Sequence, residues 1–265
     1  MKTITITVHN RPEYLEKLLE GLVKNNLDGW HIVVGLEPTL RKSEQLELIQ
    51  KYIPQTEVIH NERKLGAEDN PYNVLSYVFE KLNSKINIYL EEDMIISPDV
   101  CDLADWYYNL GDDSMCFCLC NVGKIEVDEI NLNGPHSCMF YGNQKMTISG
   151  AGTGWSSLGV LMKKEKWETR FKPNWYRGGD WGDCWDLNVY TPSERVRDVQ
   201  LLAKIPIDRT ENRVLMPYKT RSDHVGEYGG THVKPGKNRP YGCLAVSYEL
   251  VRPESYWIYD HTHLS

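Results

Sequence analysis

The chain lacks any long hydrophobic run. Nothing in its 265 residues approaches the roughly 20 consecutive apolar residues that a membrane-spanning helix requires, so no membrane span is expected. It also lacks a signal-peptide core followed by a small-residue cleavage site: Met1–Val8 alternates like a strand. A cytosolic location is the expectation. Excess positive charge is missing as well. The net charge of −7 argues against broad, non-specific nucleic-acid binding, although the C-terminal third is richer in Arg and Lys and leaves room for a local basic groove. Glycine loops that cradle phosphate are absent. No Gly-x-Gly-x-x-Gly follows the first strand and no Gly-x-x-x-x-Gly-Lys-Ser/Thr occurs, which counts against a dinucleotide-binding Rossmann enzyme and a P-loop NTPase. The seven cysteines form neither a disulfide framework nor paired Cys-x-x-Cys knuckles. Cys116, Cys118 and Cys120 alternate, so a strand would put all three on one face. They read as buried small hydrophobes, with a thiolate metal site as the alternative, and reduced thiols again fit the cytosol. Phenylalanine is scarce, with four copies against sixteen Tyr and eight Trp. Such amphipathic rings line sites for sugars or bases and also serve at core edges.

What is present begins with alternation. Lys2–Val8 reads as a strand, and Asn10-Arg11-Pro12-Glu13 opens an amphipathic helix with Tyr14, Leu15, Leu18, Leu19 and Leu22 on its apolar face. His31–Leu36 is a second strand, Arg41–Tyr52 a helix, Glu57–His60 a short strand and Pro71–Leu82 a helix turning Val74, Leu75, Val78 and Phe79 inward. A fourth strand starts at Ile86. Strands separated by helices of this length imply βαβ units and a mostly parallel sheet, an α/β fold. Ligands of such sheets sit beyond the carboxyl ends of the strands. That rule collects His9, Asn10, Arg11, Glu37, Pro38, Asn61 and Glu91–Asp93 along one edge.

The fourth strand runs straight into Glu91-Glu92-Asp93, then Met94-Ile95-Ile96 and a Ser97-Pro98-Asp99 turn. Three carboxylates at the end of an apolar strand call for a cation, and a divalent metal with hard oxygen ligands supplies one. The plain alternative is a solvated acidic turn.

The second half changes character. Val100–Leu110 reads as a helix, Cys116–Val122 as a strand and Gly134–Asn143 as a hairpin. The stretch 149–159 is rich in glycine and hydroxyls, which lets a ligand approach backbone closely or simply makes a turn. In 178–186, two Trp stand among three Asp, and Asp183 suits a helix N-cap. From Pro206 onward little periodicity remains, and the chain reads as loops over a site. The boundary expected from this change divides one continuous domain into a first half, 1–97, that carries the polar sheet edge, and a second half, 98–265, whose C-terminal loops close over it.

Laid out in this way, the sequence resembles the GT-A fold of nucleotide-sugar-dependent glycosyltransferases. Val8-His9-Asn10-Arg11-Pro12-Glu13-Tyr14-Leu15 is similar to that family's first strand and helix, whose Arg or Asn faces the nucleotide. Glu37 stands where an acid or polar residue meets base or ribose. Asn61, Lys64-Leu65-Gly66 and Asn73 resemble the segment after the third strand, and Leu90-Glu91-Glu92-Asp93 resembles the metal motif Asp-x-Asp in a Glu-x-Asp form. Later segments are similar to the inverting N-acetylglucosaminyltransferase I group: Gly152-Thr153-Gly154-Trp155, Trp181-Gly182-Asp183, Arg209-Thr210 and Gly229-Gly230-Thr231-His232. Gly182 replaces the first Asp of that group's Trp-Asp-Asp pattern, and the Golgi enzymes' N-terminal anchor has no counterpart, which suggests a microbial or viral relative.

The resemblance implies a metal-dependent transfer from a nucleotide-diphosphate sugar, UDP-linked by expectation, to an acceptor hydroxyl with inversion. Asp93 would ligate Mn²⁺ or Mg²⁺, with Glu91 and Glu92 acting through water, ribose or sugar. Asp183 would be the general base, with Asp180 and Asp186 as competitors. His232 would meet the metal or the phosphate, with His224 as the alternative, and Arg209, Lys219 or Arg221 would assist. Trp155 would line the donor site. The acceptor is a glycan, with a modified DNA base as runner-up. A nucleotidyltransferase that makes nucleotide sugars and a non-catalytic nucleotide-sugar-binding module are the rival functions.

Overall fold

The computed structural model describes residues 1–111, 113–120, 137–141, 159–175, 214–217, 221–224 and 257–259. Its first part is β1 (Lys2–Val8), α1 (Pro12–Leu22), β2 (Trp30–Leu36), α2 (Lys42–Tyr52), β3 (Glu57–His60), α3 (Gly66–Ser76) with a π-helical turn at Tyr77–Lys81, and β4 (Ile86–Glu91). Then come β5 (Met94–Ile96), α4 (Val100–Asn109), β6 (Cys116–Cys118), β7 (Ser137–Tyr141), β8 (Val160–Lys163) and α5 (Lys164–Lys166). A π-helical turn at Trp167–Phe171, α6 (Lys172–Asn174), β9 (Val214–Pro217), β10 (Ser222–His224) and β11 (Trp257–Tyr259) follow.

Among the described residues, nine strands form one sheet in the order β11-β7-β9-β6-β8-β4-β1-β2-β3. Strands β4, β1, β2 and β3 are mutually parallel, while β8 runs antiparallel to both β4 and β6. Register follows from the side-chain period of two. Ile4, Ile6 and Val8 of β1 bury against Leu15, Leu18, Leu19 and Leu22 of α1 on one face. On the other, Val33 and Tyr89 meet Leu75, Val78, Phe79, Trp167 and Phe171. Both faces of the parallel strands are therefore covered, as βαβ crossovers require. No helix among the described residues is long and apolar enough to cross a membrane.

Several elements differ from the sequence expectation. Helix α3 begins at Gly66, five residues before Pro71, because a carboxylate from another strand serves its first amides. Tyr14 is only half-buried and lies under the Arg11 guanidinium, whose carbon is 5.4 Å from the ring centre. Strand β6 stops at Cys118, so Cys116 and Cys118 pack in one core and Cys120 in the other; the three do not share a face. They and Cys101 are buried thiols. The described part of the expected hairpin, β7, lies in the main sheet between β11 and β9. The stretch from Pro206 contributes three strands, β9, β10 and β11. Of the glycine-rich stretch only Gly159 is described. Its φ of +87°, and Leu119 Cδ1 only 2.8 Å from where a Cβ would sit, explain glycine there by packing.

Candidate active site

The parallel strands bring four chain segments to one edge. Register pairs Val8 with Leu36, Leu36 with His60 and Thr7 with Glu91. Each ladder extends one step past the strands: the Glu37 amide donates to Val8, that of Asn61 to Leu36 and that of Glu92 to Thr7, all at 3.0 Å. His9, Asn10, Arg11, Glu37, Asn61 and Glu91–Asp93 thus share the carboxyl edge, with exposed Lys64 in the loop after β3.

The three consecutive carboxylates have different surroundings. Glu92 is buried and turned into the β1–α1 loop. It accepts from the backbone amides of His9 at 2.8 Å, Asn10 at 3.3 Å and Arg11 at 3.4 Å, and from Arg11 Nε at 2.7 Å. Successive amides in such a turn make a concave anion site. Here the chain's own carboxylate fills it. Asp93, also buried, lies 2.8 Å through Oδ2 from Arg11 Nη1. Glu91 is half-exposed and accepts from Tyr89 Oη at 2.9 Å, which is itself 3.2 Å from Thr7 Oγ1. Burial lowers the Arg11 pKa, but Asp93, Glu92 and Glu91 together outweigh it and the net shift is upward.

Glu37 repeats the Glu92 arrangement. Its carboxylate accepts from the amides of Leu65 at 3.0 and 3.1 Å and Gly66 at 2.9 Å, so it caps α3 from across the sheet edge. Asn61 Nδ2 donates to Asn70 Oδ1 at 3.1 Å, and Asn70 Nδ2 donates to the Gly35 carbonyl at 3.1 Å. A Cβ on Gly35 would come within 2.4 Å of Val74 Cγ1, so glycine lets α3 lie this close to β2. Glu92 and Glu37 thus occupy the helix N-termini of α1 and α3 that face this edge. The sequence reading had given both residues to the ligand. It also did not single out Tyr89, Thr7 or Asn70; the period-two polar run Thr3-Thr5-Thr7 is the signal that marks that face.

The segment after the acid triplet is tied to the far end of the chain. Strand β10 pairs antiparallel with β5, with His224 opposite Met94 and Ser222 opposite Ile96. Buried Arg221 donates from Nε to buried Asp99 Oδ2 at 2.9 Å, and Ser97 Oγ donates to Asp99 Oδ1 at 2.6 Å. The backbone of His224 therefore runs beside the residue that follows Asp93. Asp180, Asp183, Asp186, Trp155, Arg209, Lys219 and His232 lie outside the described residues.

A divalent metal fits the chemistry of this donor set. Glu91 and Asp93 supply hard oxygens, and Mg²⁺-type ions commonly take one or two carboxylates and complete their shell with water and phosphate. Among the described residues no group of three or more His, Cys, Asp or Glu side chains converges as a metal site.

Neither a protein-family model nor a curated protein matches the sequence. Solved structures match its fold. The structure of S. aureus TarS residues 1–349 superposes with a TM-score of 0.50 at 15% identity, covering 86% of this chain. The fold is GT-A. This chain spans 61% of that TarS structure. The glycosyltransferase GlyE of Streptococcus pneumoniae gives a TM-score of 0.46 at 15% identity, covering 78% of this chain and 44% of its own. The mannosyltransferase PcManGT of Pyrobaculum calidifontis, solved with GDP-Man and Mn²⁺, gives 0.42 at 12% identity, with 81% and 56% covered. TarS 1–349 has also been solved with UDP-GlcNAc.

Proposed function

We propose that the chain is a metal-dependent glycosyltransferase that moves a sugar from a nucleoside-diphosphate sugar, UDP-linked in this reading, to an acceptor hydroxyl. The observation that carries the proposal is the pair of internal carboxylates at the nucleotide edge. Glu92 fills the amide cradle before α1 and Glu37 fills that before α3. A diphosphate arriving at this edge therefore finds the helix N-termini already neutralised. Its charge must be met by side chains and a cation. That requirement fits the acids Glu91 and Asp93 and the cations Arg11 and Lys64, and it agrees with the missing glycine loops.

In this reading Asp93 holds the metal and Glu91, oriented by Tyr89, takes a ribose or sugar hydroxyl. His9, Asn10 and Asn61 line the nucleotide, while Glu92 and Glu37 keep the loops beneath it in shape. Bound Mn²⁺ or Mg²⁺ would offset the charge that grows on the departing nucleoside diphosphate. Asp183, with Asp180 as its competitor, removes the acceptor proton as the hydroxyl attacks C1, and a single in-line displacement inverts that carbon. Trp155 and Arg209 close over the donor. His232, with His224 as the alternative, meets the metal or the phosphate. The inverting N-acetylglucosaminyltransferase I-like pattern and a glycan acceptor belong to the same reading; among the described residues nothing favours a modified DNA base.

Asp93→Asn tests the site. It keeps shape and a hydrogen-bond acceptor for Arg11 but removes the charge. Metal-dependent release of nucleoside diphosphate is expected to fall at least about a hundredfold, as loss of a cation anchor worth several kcal/mol implies. Equal turnover in wild type and variant, with the same metal requirement, would remove Asp93 from the role.

A further inference from the structure

Arg11 stands between the metal reading and the diphosphate reading of the edge. Its Nε is 2.7 Å from Glu92 Oε1 and its Nη1 is 2.8 Å from Asp93 Oδ2. The two attachments differ in kind. Glu92 is fixed by three backbone amides of the same loop and is needed where it is. Asp93 is the carboxylate that a metal would use. A cation reaching Asp93 meets a carboxylate already neutralised, and two positive groups on one carboxylate repel. The Asp93 side chain is 6% exposed and that of Arg11 is 28% exposed, so the guanidinium is the partner with room to move. Its planar fork presents several donors, and Nε can stay on Glu92 while another nitrogen changes partner. Beside the edge, the amide cradles suited to phosphate are filled by Glu92 and Glu37, which leaves a displaced Arg11 arm as a ready donor to the incoming anion.

We propose that Arg11 gates Asp93. In the donor-free chain it occupies the metal-binding carboxylate, and it passes to the diphosphate when metal and nucleotide arrive together. The gate rests on the metal-dependent donor site proposed above. Metal alone therefore binds weakly, and metal and nucleoside diphosphate each raise the affinity for the other, as linkage demands. Removing Arg11 separates these effects: affinity for metal alone rises while affinity for the diphosphate falls.

The test is Mn²⁺ binding without turnover, read from the free-ion electron paramagnetic resonance signal, with and without UDP. The proteins are wild type, Arg11→Gln and Arg11→Lys, each checked for a native circular-dichroism melt. Arg11→Gln is expected to bind Mn²⁺ alone about tenfold more tightly than wild type, the factor that about 1.4 kcal/mol of relieved competition gives. Its gain in Mn²⁺ affinity on adding UDP should shrink by a similar factor. Arg11→Lys, which keeps the charge but loses the fork, should lie between the two, and it decides alone if the glutamine variant does not fold. Metal-alone affinity unchanged or weakened in the folded variants overturns the gate and leaves the donor site standing. Failure of the wild type to bind Mn²⁺ even with UDP would overturn the donor-site reading and the gate with it.

Discussion

Glu91, Glu92 and Asp93 are identical in charge and adjacent in sequence, yet their environments assign them different work. Strand alternation turns Glu91 to the Tyr89 face, the end of the strand releases Glu92 into the β1–α1 loop, and the turn sets Asp93 against Arg11. The sequence made the acidic cluster visible, together with its need for a counter-charge. It did not reveal that the middle acid serves the backbone, because that depends on which amides the neighbouring loop leaves unpaired. Replacing Glu92 by Gln keeps an acceptor but turns an amide group toward donors, so we expect about 1–3 kcal/mol lower stability in urea unfolding and weaker nucleotide binding. Unchanged stability would contradict the bracing role. Gly35→Ala should cost about 1–3 kcal/mol through overpacking against Val74 and Asn70. A neutral result would mean that α3 can move off β2.

At the level of elements, the strands and helices of the first half were readable because amphipathic periodicity and burial coincide there. Periodicity gives β1 and β3 their bounds, and it gives the core face of α1 apart from the half-buried Tyr14. Helix α3 started earlier than expected because its cap is Glu37, distant in sequence and invisible to local pattern. Strands β8 to β11 are short, three to four residues each, and are stabilised by partners far along the chain, so no period announces them. The β5–β10 pairing is the clearest case, since it depends on the buried Asp99–Arg221 contact. Arg221→Met leaves a buried carboxylate uncompensated and should cost about 3–5 kcal/mol, most of it recovered in the Asp99→Leu/Arg221→Met double variant. Equal losses in the single and double variants would contradict this. On α4, burial, with Asp102 and Asp105 adding to it, pushes the Cys101 thiol well above its ordinary range. A raised folded-state pKa means that this contribution to stability is complete below the usual thiol pKa of about 8.5 and is lost as pH climbs from there toward the folded value. Unfolding free energy should therefore fall between about pH 8.5 and 10.5, and Cys101→Ala should flatten that slope whatever its offset at neutral pH. Parallel slopes would show that Cys101 titrates alike in both states.

For the whole molecule, a mostly parallel sheet with both faces covered produces a single carboxyl edge, and the fold matches that of GT-A glycosyltransferases. The parallel sheet and its edge follow from the alternation of strands and helices, whereas GT-A in particular is what the resemblance implies. The assignment of later residues such as Asp183 and His232 rested on short motifs in a stretch of weak periodicity, where sequence spacing carries little information about position. Two internal carboxylates fill the amide cradles of this edge, and under the proposed transfer from a nucleotide sugar the remaining acids and Arg11 would meet metal and diphosphate. The most direct test is a screen of common nucleotide sugars with Mn²⁺, measuring release of nucleoside diphosphate by the wild-type protein. The account predicts release from at least one donor, abolished by chelator and restored by Mn²⁺ or Mg²⁺. Binding of a donor without any release, or pyrophosphate formed from a nucleoside triphosphate and a sugar phosphate, would contradict it.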